Sequence, residues 1–148
     1  MKKKLTKAIQ RTRIIDKLKD IRFYTKDIMR YETLGDWRDS SKIDVSSTLD
    51  EVEQLAVGVH ELVEMILLHA KGISQKEVDS WDVGSTDGSY DPNMYSKNKH
   101  YELAHNMAET VEKWIIHAYG RNWRSYDDKT KKIIKKKLIK WKKRGEKS

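Results

Sequence analysis

Thr48-Leu49-Asp50-Glu51-Val52-Glu53-Gln54-Leu55-Ala56-Val57-Gly58-Val59-His60-Glu61-Leu62-Val63-Glu64-Met65-Ile66-Leu67-Leu68-His69-Ala70-Lys71-Gly72 is the stretch that decides the fold. Val52, Leu55, Ala56, Val59, Leu62, Val63, Ile66 and Leu67 recur every three or four residues, the spacing of an amphipathic helix with one apolar stripe. Thr48 and Glu51 have the spacing of a capping box, which satisfies the first free N–H groups. Gly72 stands where a left-handed residue closes a helix. His60 and Glu64 fall at the border of the stripe, so both are expected to be partly buried. Gly58 leaves room for another backbone or a ligand.

His60 and Glu64 are four residues apart, and i and i+4 lie one above the other on a helix face. A second helix-periodic segment, from about 98 to 119, repeats the pattern with His105 and Glu109. Its expected inward residues are Leu103, Ala104, Met107, Ala108, Val111, Trp114, Ile115 and Ala118, and Gly120 closes it. Two such helices side by side offer two imidazoles and two carboxylates to one cation. A half-buried carboxylate without a partner costs several kcal/mol, roughly, so this cluster needs either a metal or mutual His–Glu hydrogen bonds. Imidazole with carboxylate suits Zn²⁺ best, with Mn²⁺, Fe²⁺ or Ni²⁺ as the other divalent transition metals of that chemistry. The expected ligands are His60, Glu64 and His105. Glu109 is a fourth ligand or a partner that orients His105. Asp79 or Asp82 closes the site from a short helix that Ser74 and Glu77 cap. Glu61 is the expected general base. His100 reads as a surface residue, and His69 and His117 as helix-end residues.

Around these helices the fold class is mainly α with a small sheet (α+β). Ile21-Arg22-Phe23-Tyr24 is strand-like, with continuation of an N-terminal helix to Arg30 or Tyr31 as the competing reading. Leu34 to Trp37 and Ile43 to Ser46 flank the polar Asp39-Ser40-Ser41, the pattern of a β-hairpin placed before the His60 helix. Residues 4–20 and 127–144 read as basic amphipathic helices, the latter with Ile134, Leu138 and Trp141 on one side. Residues 83–97 are a Gly/Ser/Asp-rich loop with the single proline, of a length often found at functional sites. The expected organisation is a basic N-terminal helix over 1–20, a metal-site core over 21–124 and a basic C-terminal helix or tail over 125–148.

Charge is segregated along the chain. The net charge is +8, yet residues 23–128 carry eleven basic and twenty acidic residues. Residues 2–22 carry nine Lys/Arg against two Asp, and residues 129–148 eleven against one Glu. Basic ends favour nucleic acid or another polyanion, and an acidic middle favours a cation. Trp123 and Trp141 are available to stack on bases, although core burial is the commoner use of Trp141. With no cysteine among 148 residues, thiolate metal sites, disulfides and Cys nucleophiles are excluded. No apolar run reaches a membrane span, and the N-terminus lacks the apolar region of a signal peptide. A soluble cytoplasmic protein is the expectation.

The run Val59-His60-Glu61-Leu62-Val63-Glu64, then Gly72-Ile73 with Val78-Asp79 and Trp81-Asp82, then Asp91-Pro92, then His105, Glu109 and Glu112, resembles a group of small phage and prophage proteins. There a Gly-Asp-Trp/Tyr segment, here Gly35-Asp36-Trp37, precedes the H-E-x-x-E helix. The resemblance covers residues 31–115 and implies a phage origin, hence a host-cell cytoplasm, with a preserved polar cluster and no assigned activity. More distantly, a hairpin followed by H-E-x-x-[HE] is similar to a minimal zincin metallopeptidase, with Glu64 where that family has its second His. Three functions are therefore in view. One is a metal-dependent hydrolase of a peptide or small molecule. Another is a non-enzymatic protein that uses its basic ends on nucleic acid or a host enzyme. The last is an all-α Mg²⁺-dependent nucleoside triphosphate pyrophosphatase, which Glu61-x-x-Glu64 with Asp79-x-x-Asp82 resembles.

Overall fold

The computed structural model describes residues 20–30, 33–38, 41–82 and 99–145, with the side chains of 80–82 and 141–145 left aside. The helix expected over 4–20, the loop over 83–97, and the side chains of Asp82 and Trp141 thus lie outside the described residues. The chain is mainly helical with one small sheet, the α+β class read from the sequence. Its strands are β1 (Arg22–Lys26), β2 (Gly35–Arg38) and β3 (Lys42–Ser46). Its helices are α1 (Glu51–Ala70), α2 (Gln75–Asp82), α3 (Lys99–Ala118) and α4 (Trp123–Gly145).

The expected hairpin is present as β2 and β3, antiparallel, with Trp37 opposite Ile43 and Asp36 opposite Asp44. Residues 22–26 are strand, which excludes the continued N-terminal helix. The sheet order is β1-β3-β2, and β1 runs parallel to β3. Because strand side chains alternate in direction, Trp37 and Ile43 share one face and Asp36 and Asp44 the other. Two carboxylates directly opposite repel, and each is met by an arginine. Arg30 grips Asp36 at 2.7 and 2.9 Å, and Arg38 grips Asp44 at 2.6 and 3.2 Å. Burial holds the Asp36 carboxyl above its ordinary range, and Arg30 pulls it back.

α1 lies across the other face of the sheet. The tight approach is at Gly35: a Cβ there would stand 2.5 Å from Val57 Cγ1 and 2.7 Å from Glu61 Cγ. At Gly58 the sequence reading expected close approach, but a Cβ would meet the Phe23 ring only at 3.4 Å.

The start of α1 corrects the capping expectation. Asp50 is the N-cap, and the box is Asp50–Glu53, with Glu53 N–H donating to Asp50 and Asp50 N–H to Glu53. Thr48 is engaged instead with Ser46, hydroxyl to hydroxyl at 2.8 Å. The ends of α1 and α3 are as expected. Gly72 and Gly120 have φ of 73° and 70°. The N–H groups of Ile73 and Arg121 return to Leu68 and Ile116, the Schellman pattern. The Ser74–Glu77 cap of α2 also forms, at 2.8 and 3.3 Å.

α3 packs along α1 with Ala104 and Ala108 inward as expected, but with Leu103, Met107, Trp114 and Ala118 turned out. Tyr101, Ala104, Ala108, Glu112 and Ile116 are buried, whereas Leu103, Met107 and Trp114 are exposed. The helix carries two apolar stripes on opposite sides. The one with small residues, Ala104 and Ala108, is turned to the neighbouring helix. α4 then covers the N-terminal part of α1. Its Tyr126 is buried, and Ile133 and Ile134 join the core edge. Lys129 donates to the buried Glu53, and Arg121 pairs with Asp50.

Candidate metal centre

His60 and Glu64 sit on consecutive turns of α1, facing α3, and His105 faces them from the second turn of α3. His60 Nε2 lies 3.5 Å from Glu64 Oε2, and His105 Nδ1 lies 3.1 Å from the same oxygen. One ligand atom from each of the three residues falls within 4.8 Å of the others. The two imidazoles meet edge to face, with centroids 4.9 Å apart. Four ligands arranged tetrahedrally about zinc at about 2.0–2.1 Å stand about 3.3 Å from one another. The two measured separations bracket that value. Three of the expected ligands are thereby brought to one point.

The groups behind the ligands are as informative. Glu112 Oε2 accepts from His60 Nδ1 at 2.6 Å, and the other oxygen of Glu112 accepts from the Tyr126 hydroxyl at 2.5 Å. Trp37 Nε1 donates to Glu64 Oε1 at 3.4 Å. His60 is thus held by its Nδ1, which leaves Nε2 directed at Glu64 and His105. Tyr101 stacks beside His105.

Burial and charge are balanced within the cluster. The Glu64 side chain is 5% exposed and that of His105 36%, so the site opens on the His105 side. Burial works against the charged form of His60, but the hydrogen bonds to Glu112 and Glu64 outweigh it and lift its pKa to about 11. Burial would likewise raise Glu64, and the bonds to His105 and His60 reverse this, holding the carboxyl well below its usual range. Tyr126, desolvated and beside Glu112, is raised far above the ordinary phenol, which keeps it a donor. Without a metal, His60, Glu64, His105 and Glu112 therefore form a hydrogen-bonded histidine–carboxylate network. The His–Glu alternative read from the sequence is thus met with Glu112 in place of Glu109, and it shares Glu64 Oε2 with the candidate metal site.

The remaining expected site residues go elsewhere. Glu109 is outside the three-residue group, and its charge acts on Lys131 of α4. The reason is the rotation of α3: with Ala104 and Ala108 inward, Glu112 two turns beyond His105 faces the site, and Glu109 does not. Asp79 does not close the site, since both its oxygens are taken by Arg30 at 2.9 Å. The side chain of Asp82 lies outside the described residues. Glu61 lies against β2, its Oε1 2.8 Å from where a Gly35 Cβ would be, and its charge adds to the field on His60. Of the pyrophosphatase pattern, Glu64 is committed to two histidines and Asp79 to an arginine.

Glu112 and Trp37 stand in the sequence only as members of a motif, with no role attached to either. Sequence reasoning had no sign of Tyr126. Seven residues separate His105 from Glu112, two helical turns, so that spacing was a usable signal. The contributions of Trp37 and Tyr126 are long-range. Among the described residues no helix is long and apolar enough to cross a membrane. Comparisons with protein-family profiles, with curated proteins and with solved structures gave no match.

Proposed function

We propose that this chain binds a divalent transition metal, zinc by preference, through His60 Nε2, Glu64 and His105 Nδ1, and that it acts as a metal-dependent hydrolase. The observation that carries the metal reading is the Glu112–His60 hydrogen bond at 2.6 Å. A ligating histidine characteristically donates its other ring N–H to a carboxylate, which fixes the tautomer and raises ligand basicity. Glu112 stands in that place, itself oriented by Tyr126, while Trp37 orients Glu64. Two imidazoles and one carboxylate leave a coordination position open, the arrangement of catalytic rather than structural sites. The partial exposure of His105 puts that position on the accessible side.

A bound ion would supply Lewis acidity toward a water or a substrate carbonyl or phosphoryl oxygen. Glu61, next to His60 in sequence and acting on it through its charge, is our candidate for the group that accepts a proton, although its side chain lies against β2. The substrate in this reading is a peptide or small molecule that reaches the site past His105.

Elemental analysis tests the metal reading directly, on the full chain reconstituted with Zn²⁺ and desalted, beside Glu64→Ala and His105→Ala. The expected result is one equivalent in the wild type and none in either variant, with unchanged helical circular dichroism. Wild-type protein without stoichiometric metal, or full retention in both variants, overturns it. Given metal binding, Glu61→Gln that keeps the metal but abolishes hydrolysis of a peptide or ester substrate supports the catalytic role. Undiminished turnover removes Glu61 from it.

A further inference from the structure

α4 uses its cations in two distinct ways. On the side turned to the body, Lys129 donates to Glu53 at 2.5 Å and Lys137 to Ser46 Oγ at 2.9 Å. Trp123, Tyr126, Ile133 and Ile134 lie on that side too. These contacts hold the helix in place. Arg124, Lys132 and Lys135 on the outward side, and Lys136 and Lys140 at its border with the packed side, are all exposed. Among the described residues, none of these five meets a carboxylate or another side-chain acceptor. Lys131 is bridged to Asp127, and among the described residues of α4 Asp128 is the one exposed acid. Lys132, Lys136 and Lys140 follow at i, i+4, i+8, one cation for each turn of about 5.4 Å.

We propose that this outward face of α4 is a docking surface for the phosphodiester backbone of a nucleic acid. A helix of 23 residues is about 34 Å long, the length of about one turn of duplex. A strand presents a phosphate every 3.4 Å or so along the axis, so each of the five cations has one within reach. The charge on the rest of the chain supports the orientation. Residues 129–148 carry eleven basic residues against one acid, while residues 23–128 carry eleven against twenty. A polyanion is therefore repelled by residues 23–128 and attracted to α4, as it is to the basic residues 2–22. A membrane surface fits less well. Interfacial helices bury an apolar face beside their cations, and here that face is already turned into the protein. Leu138 and Ile139 are the aliphatic residues left outward, too few for an inserted stripe.

Fluorescence anisotropy with a labelled duplex of about two helical turns tests this, between about 50 and about 200 mM salt. Five phosphates neutralised, at about 0.9 counterion each, predict roughly 500-fold weaker binding across that range. The triple variant Lys132→Ala, Lys135→Ala, Lys136→Ala should lower the salt slope by about 2.7 and weaken low-salt binding at least about tenfold. A second triple variant, Lys71→Ala, Lys76→Ala, Lys99→Ala, removes the same charge elsewhere and should leave both unchanged. No binding at low salt, or equal losses in the two triple variants, overturns the proposal. So does tighter binding to phosphatidylserine-containing vesicles than to the duplex. Circular dichroism of both variants establishes that the helices persist.

Discussion

Glu112 Oε2 lies 2.6 Å from His60 Nδ1, and this pair joins two helices across 52 residues of sequence. Glu112 is the buried carboxylate that fixes which nitrogen of His60 is left over. It predicts that Glu112→Gln retains the fold but binds Zn²⁺ about 10- to 100-fold more weakly, the usual effect of removing such a partner. Competition with a chromogenic chelator measures it. Tyr126→Phe, one contact further out, should show a smaller loss in the same direction. Equal affinities in wild type and Glu112→Gln would contradict the orienting role.

Metal binding should release protons. In the metal-free protein His60 is raised from 6.5 to about 11, so it carries a proton at neutral pH that a metal must displace. Apparent Zn²⁺ affinity should then rise about tenfold per pH unit around neutrality for that one proton. Isothermal titration in buffers of different ionisation enthalpy counts the protons.

The same shift sets the stability of the metal-free form. A histidine whose pKa is raised on folding contributes stability that is complete below its ordinary value and is lost as pH rises through the raised one. Denaturant midpoints measured with chelator present should therefore fall between pH 7 and pH 10 through His60, and flatten in His60→Gln.

Gly35 and Gly58 should respond with opposite signs to alanine. At Gly35 the added Cβ would stand 2.5 Å from Val57 Cγ1, forcing α1 off the sheet at a cost of about 1–3 kcal/mol. At Gly58, inside α1 and 3.4 Å from the Phe23 ring, alanine fits and gains up to about 1 kcal/mol of helix propensity. Thermal unfolding of the two single variants checks both signs.

Arg30 ties β2 to α2, with bonds to Asp36 and Asp79 of 2.7 to 2.9 Å. Arg30→Met strands the buried Asp36 carboxylate, and breaking such a pair costs about 3 kcal/mol or more. Adding Asp36→Asn should recover part of the loss, because the uncompensated charge is then gone. Urea unfolding of the single and double variants measures the recovery.

Local physics determined a large share of this protein from its sequence. The 3.6-residue period of 52–67 determined α1, and the fixed geometry of i and i+4 put His60 and Glu64 on one face whatever surrounds them. The polar break between Trp37 and Ile43 determined the hairpin, and Gly72 and Gly120 determined where two helices stop. His105 was legible as a partner for the same reason as His60. Tertiary structure decided the rest. α3 has apolar residues on two sides, and periodicity alone does not say which is buried. Contact with α1 selected Ala104 and Ala108, rotating Glu112 rather than Glu109 into the site and leaving Trp114 outside. Asp50 displaced Thr48 as the cap because Thr48 was drawn to Ser46 at the end of β3. Trp37, Tyr126 and Arg30 act across 27, 14 and 49 residues of chain. Their partners were fixed only when packing brought distant carboxylates within reach of their donors.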